Sequence, residues 1–239
     1  TTVHQLDRSK GLDLLLHTPG GNISSIETIV DYLRKMFGNN IRVFIPQLAM
    51  SAGTMWACSC KEIIMGKQSR IGPIDPQFNG VSAEGVVEEF HRAIKDIKDD
   101  PTSAHLWKQI ISRYHPTFIG DCEKEIDLSR NMVGAWLISC MFCEYPKAKE
   151  KSSLIVGSLS SHKETKSHNR QIAIDECKKI GLNVSELEKD NELQDLVLSV
   201  HHSFMHTFST TMAIKIIENQ NKQAMVIFVP NIAFPQPTK

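Results

Sequence analysis

A short apolar segment, a turn of small residues and a helix-like stretch occur twice in succession near the start of this 239-residue chain. The first copy runs LDLLLH into Thr18-Pro19-Gly20-Gly21, and the second runs VFIPQLAM into Ser51-Ala52-Gly53-Thr54. Thirty residues separate Gly21 from Ser51, the length of one strand–helix–strand unit at ~30 residues. Two such units in a parallel sheet set their turns side by side at the carboxyl ends of the strands. That edge is where ligands collect in open α/β sheets.

The turns also carry chemistry. Backbone N–H groups at a helix start have no partner within the helix, and they can point at developing negative charge. The second turn adds the hydroxyl of Ser51 where an acyl carbonyl would sit. Each motif alone is weak, because Pro-Gly-Gly is a common exit from a strand and serine is a preferred helix cap. Ser51 therefore has two readings, a nucleophile that needs a base or the cap of a packed helix. The pairing of the two turns at this spacing favours acyl chemistry.

The stretches LHTPGGNISSIETIVDYLRK and AMSAGTMWACSCKEIIMGKQSRIGPIDPQ resemble the Clp-protease and crotonase superfamily. The nearest branch is the serine dehydrogenase proteinase family, related to signal peptide peptidase A. The resemblance is dense from Leu12 to Gln77, thin over 80–150, and returns at SHNRQIAIDECKKIGL. It implies an α/β fold of repeated ββα units with a mainly parallel sheet and additional helices, and it implies a serine peptidase. Ser51 would be the nucleophile, the N–H groups of Gly21 and Ala52 would hold the oxyanion, and Gly20 would shape the turn. Where the Clp proteolytic subunit carries its histidine, this chain has Ile74 or Asp75, so that triad cannot be carried over whole.

Three answers to the missing base stand open. His168, in Ser167-His168-Asn169-Arg170, precedes the helix that resembles the region of the family's third triad member. A triad is defined by geometry rather than by chain order, although a surface histidine in a polar loop looks the same in sequence. A lysine as in signal peptide peptidase A is the second answer, with Lys95, Lys98, Lys163 and Lys166 as candidates. The third is that no base operates. Asp75 lies between Pro73 and Pro76, which stiffen the chain. It is either the carboxylate that orients the base or a turn former.

Composition bounds the rest. The formal net charge is zero, which argues for no nucleic-acid partner. Six cysteines in mostly apolar stretches suggest a reducing compartment rather than a disulfide framework. No apolar run approaches the ~18 residues of a membrane span, and no signal peptide is visible. The chain begins almost at its first core strand, whereas the superfamily has an earlier strand and helix. A natural start upstream is therefore expected, and any membrane association would come through it. The expected localisation is cytoplasmic or membrane-peripheral.

Strands are expected at Leu12–His17, Ile41–Ile45 and Glu62–Met65. Helices are expected at Ile23–Phe37, Ser51–Cys60, Ala83–Lys98, Ala104–Tyr114, Ile119–Phe142, Ile174–Ile180 and Leu193–Ile217. KAKEKSSLIVGSLSSHKETKSHNR has a polar, mobile character, and the charges of Lys147–Lys151 suit a solvated turn. The tail AMVIFVPNIAFPQPTK suits a strand and then disorder or an oligomer arm. One domain over residues 1–239 is expected, with a helical insertion at 83–143.

Cys140 and Cys143 have zinc-like spacing, but no second pair completes a site, and their surroundings favour core. His202 and His206 stand one helical turn apart without an evident third ligand. Neither metal nor cofactor is expected. The leading expectation is peptide hydrolysis through a Ser51 acyl-enzyme, on peptide or protein substrates, by a trimer-based homo-oligomer. A crotonase-like acyl-coenzyme A enzyme and a non-catalytic oligomeric member of the fold are the alternatives.

Overall fold

The computed structural model describes residues 2–78, 80–160 and 170–229. The elements run β1 (Leu12–Leu15), α1 (Ile23–Phe37), β2 (Ile41–Ile45), β3 (Leu48–Ala49), α2 (Ala52–Cys58), β4 (Glu62–Met65) and β5 (Arg70–Ile71). They continue through β6 (Gln77–Phe78), β7 (Val81–Ser82), α3 (Ala83–Asp99), α4 (Ala104–Ile111), α5 (Phe118–Trp136) and α6 (Ala148–Ser160). The last are β8 (Ile172–Ala173), α7 (Ile174–Ile180), β9 (Val184–Glu186), α8 (Asn191–Thr210), β10 (Ala213–Glu218) and β11 (Ala224–Phe228).

The main sheet has the order β1-β2-β4-β9 and is parallel throughout. Val43, Ile45, Ile63 and Met65 are fully buried in it, as expected of parallel strands covered on both faces. A second, short sheet has the order β3-β5-β8. β3 and β5 pair in parallel, and β8 closes the sheet antiparallel. The chain thus leaves each main strand for a short strand of the second sheet, β2 for β3 and β4 for β5. After β1 the same step is a single bridge from Thr18 to Ala49. This is the ββα repeat of a mixed α/β fold.

Local sequence explains the elements around the turns. α1 is capped by Asn22, whose side chain accepts from the Ser25 N–H at 3.1 Å. Ile26, Val30, Leu33 and Phe37 form its buried stripe, and Gly38, with φ 60°, ends it. α2 carries no charge, and all of its residues but Trp56 are buried. Arg34 ties α1 to its neighbours, donating to the carbonyls of Ser59 (2.8 Å) and Trp136 (3.2 Å) and to Ser139 Oγ (3.0 Å). No helix among the described residues is long and apolar enough to cross a membrane.

Three expectations are corrected. The segment expected to be polar and mobile is in fact α6 as far as Ser160. Ser152, Ile155, Val156 and Leu159 recur on one face and are buried, with Ile155 and Leu159 fully so. The flanking lysines and serines hide that stripe in an average. The helix expected over Leu193–Ile217 stops at Thr210, because Ile216, Ile217 and their neighbours find antiparallel partners in β11, a contact periodicity cannot foresee. The helix expected to run to Phe142 widens into a π turn at Leu137–Met141, which buries Leu137, Cys140 and Met141.

All six cysteines are free thiols. Cys58, Cys60, Cys122, Cys140 and Cys177 are buried, and Cys143 is exposed. Cys140 belongs to the core as expected, but Cys143 does not.

Candidate active site

The two glycine turns meet. Thr18 N–H donates to the Leu48 carbonyl and Met50 N–H donates to the Thr18 carbonyl, both at 3.0 Å. These bonds lock the first turn against the second. Within the first turn, the Thr18 hydroxyl accepts from Gly20 N–H at 3.1 Å and donates to the Gly20 carbonyl at 3.1 Å. Gly20 has φ 125°, and a Cβ built on it would stand 3.2 Å from Ser51 Cβ and 3.8 Å from Ser51 Oγ. Gly53 is equally constrained, since its Cβ would fall 2.5 Å from Thr18 Cγ2. Both glycines are there to let two backbones approach.

Ser51 sits at the head of α2 with φ 51° and ψ −116°. Among the described residues only Ser51 and Lys222 combine a side chain with positive φ. Such a conformation costs roughly 1–3 kcal/mol and persists only where the surroundings impose it. A capping serine is normally extended and bonds the first turn. Ser51 does neither: its side chain makes no cap hydrogen bond. The capping reading of Ser51 is thereby set aside. The sharp strand-to-helix turn has the character of a nucleophile elbow, which exposes a serine Oγ at a sheet edge.

Ser51, Gly20, Gly21, Asp75, Phe78 and Glu125 all line one cleft of about 450 Å³. Ala52, the first residue of α2, is buried behind Ser51. Asp75 is 2% exposed. Thr54 holds its loop in place: its hydroxyl donates to the Ala49 carbonyl at 2.8 Å and accepts from Gly72 N–H at 2.9 Å. Of the sequence candidates for a base, Lys95 and Lys98 are exposed on α3, and neither lines the cleft. His168, Lys163 and Lys166 lie outside the described residues. His202 and His206 are exposed on α8, and no group of three or more histidine, cysteine or acidic side chains among the described residues could hold a metal.

A histidine pair adjoins the first turn. His17, next to Thr18, packs against His201 of α8 with ring centroids 5.0 Å apart. His201 Nε2 lies 3.3 Å from Gln47 Oε1. Burial pushes the His17 imidazole below its ordinary range. Burial first, then the neighbouring His17 and His202, push His201 down to about 4. Nothing in the local sequence marks His17 or His201, because their meeting depends on how α8 docks.

The family model of ClpP-like SDH-type serine proteinases matches residues 2–224. The chain belongs to that family. The uncharacterized protein MJ0137 of Methanocaldococcus jannaschii is 28% identical over 179 residues, covering 74% of this chain and 54% of the relative. The uncharacterized protein MJ1495 of the same archaeon is 36% identical over 89 residues, covering 37% of this chain and 30% of the relative. The chain thus spans about half the length, or less, of the curated relatives it matches. No solved structure matches it significantly. In this family of ClpP-like serine proteinases, a strained serine beside a glycine turn at the sheet edge is an arrangement suited to acyl transfer.

Proposed function

We propose that this family member hydrolyses peptide bonds with Ser51 as the nucleophile. Ser51 Oγ attacks the scissile carbonyl, and the N–H groups of Gly21 and Ala52 hold the oxyanion. His168 takes the hydroxyl proton and passes it to the leaving amine as the C–N bond breaks. Water then attacks the ester, gives up a proton to His168, and releases the acid as the proton returns to Ser51. Asp75 orients His168 and stabilises its cation. The observation that carries this reading is the left-handed backbone of Ser51, held against Gly20 at the mouth of a cleft. His168 is favoured because β8 pairs antiparallel with β5, Ile172 opposite Ile71. That pairing sets Gln171, the residue before β8, toward the Gly72 end of β5, and His168 itself lies outside the described residues.

A fluorophosphonate probe tests the proposal. Ser51 is expected to be labelled as its Oγ–P bond forms and fluoride leaves, and Ser51→Ala to abolish labelling. His168→Ala should slow labelling roughly 10²–10⁴-fold, the usual worth of a general base. The wild-type rate should rise with pH through a midpoint of about 6–7. An unchanged rate in His168→Ala removes His168 from the mechanism. Coenzyme A binding without labelling would point to the acyl-coenzyme A alternative.

A trimer-based homo-oligomer belongs to the same proposal. Ile214 and Ile217 of β10 and Met225, Val226, Ile227 and Phe228 of β11 are all exposed, and a second copy would cover them. A single-chain mass by light scattering at micromolar concentration would contradict it.

A further inference from the structure

We propose that Glu125 selects substrates with a lysine or arginine side chain near the scissile bond, an inference that rests on the serine-peptidase reading. Glu125 lines the same cleft as Ser51 and is half-buried there. Among the described residues no hydrogen bond or ion pair engages its carboxylate. The cations beside it on α5 have other partners: Lys124 pairs with Asp121 at 3.3 Å, and Arg130 pairs with Glu84. No cationic side chain among the described residues lines the cleft. A carboxylate that faces the cleft without a protein partner leaves its oxygens open to a charge-assisted hydrogen bond from a substrate cation.

The wall beside Glu125 suits the stem of such a side chain. Phe118 is two helical turns before Glu125, on the same side of α5. Its ring meets Phe78 edge-on at 5.4 Å and stacks on Tyr114 at 5.5 Å. Phe78 is therefore held firmly, and it also lines the cleft. The methylenes of a lysine or arginine can lie along the Phe78 ring while the charged head reaches Glu125. Phe78 and Glu125 together fit a long cationic side chain better than a short or acidic one.

Binding to the full chain carrying Ser51→Ala tests this without chemistry. Twin peptides that differ by lysine against norleucine at one position share the same stem and isolate the charge. At one position the lysine peptide is expected to bind about tenfold more tightly, with a preference that weakens as salt rises. Glu125→Gln should abolish the preference, and Glu125→Lys should invert it toward a glutamate peptide. Equal affinities at every position, or a lysine preference that survives Glu125→Gln, overturn the inference. Labelling of the wild type by a plain fluorophosphonate reads the other question. Labelled Ser51 with no charge preference sinks the role of Glu125 alone. An unlabelled Ser51 sinks the nucleophile, while the affinities still decide Glu125.

Discussion

Ser51 and Gly20 form one unit. The serine is held in a left-handed backbone and the glycine has φ 125°, and the two approach closely. Gly20 does not tolerate a simple exchange. Gly20→Ala puts a methyl group 3.2 Å from Ser51 Cβ in a backbone that L side chains rarely adopt. The turn must shift, and Gly21 N–H shifts with it. We expect the labelling rate of Ser51 to fall by about 10²–10³, the cost of losing one oxyanion donor, while the circular dichroism of the fold is kept. A normal rate would show that the first turn does not hold the oxyanion. The two turns were legible in the sequence as a pair, because turns one strand–helix–strand unit apart share a sheet edge, whereas either turn alone has common structural uses. Glu125 and Phe78 were not legible, since a glutamate on a helix and an aromatic in a two-residue strand look the same whether or not they face a cleft.

Legibility at the level of elements followed the range of the forces involved. α1, β2, β4 and α7 were read to the residue, because caps, glycine stops and apolar runs act locally. α6 was missed, and its buried stripe makes the miss testable. Ile155 has no exposed surface, so Ile155→Ala should cost about 2–5 kcal/mol in denaturant unfolding. A polar, mobile segment would lose less than ~0.5 kcal/mol for the same change. The boundary between α8 and β10 was invisible for a different reason. Its strand exists through β11, and pairing between segments lies outside any local window.

The whole molecule should feel acid through the histidines beside the first turn. His201 faces His17, two residues beyond β1, the neutral Gln47, and His202 on its own helix. It is held to about 4 in the fold, below the ordinary value of about 6.5. Between those values the unfolded chain binds more protons than the folded one, so stability rises with pH. The contribution is complete above about 6.5 and is lost as the pH falls through about 4. Melting temperatures across that window should climb less steeply in His201→Phe than in the wild type, and parallel curves would refute the assignment. The thiols have a consequence of another kind. Burial pushes Cys60 and Cys177 up to about 12, and Cys58 higher still, so at neutral pH these sulfurs are inert while packed. Cys143 alone is exposed. An alkylating reagent thus takes one equivalent from the native protein and five more only where the chain opens. The protein carries a built-in gauge of its own unfolding, read by mass spectrometry without a dye or a tag.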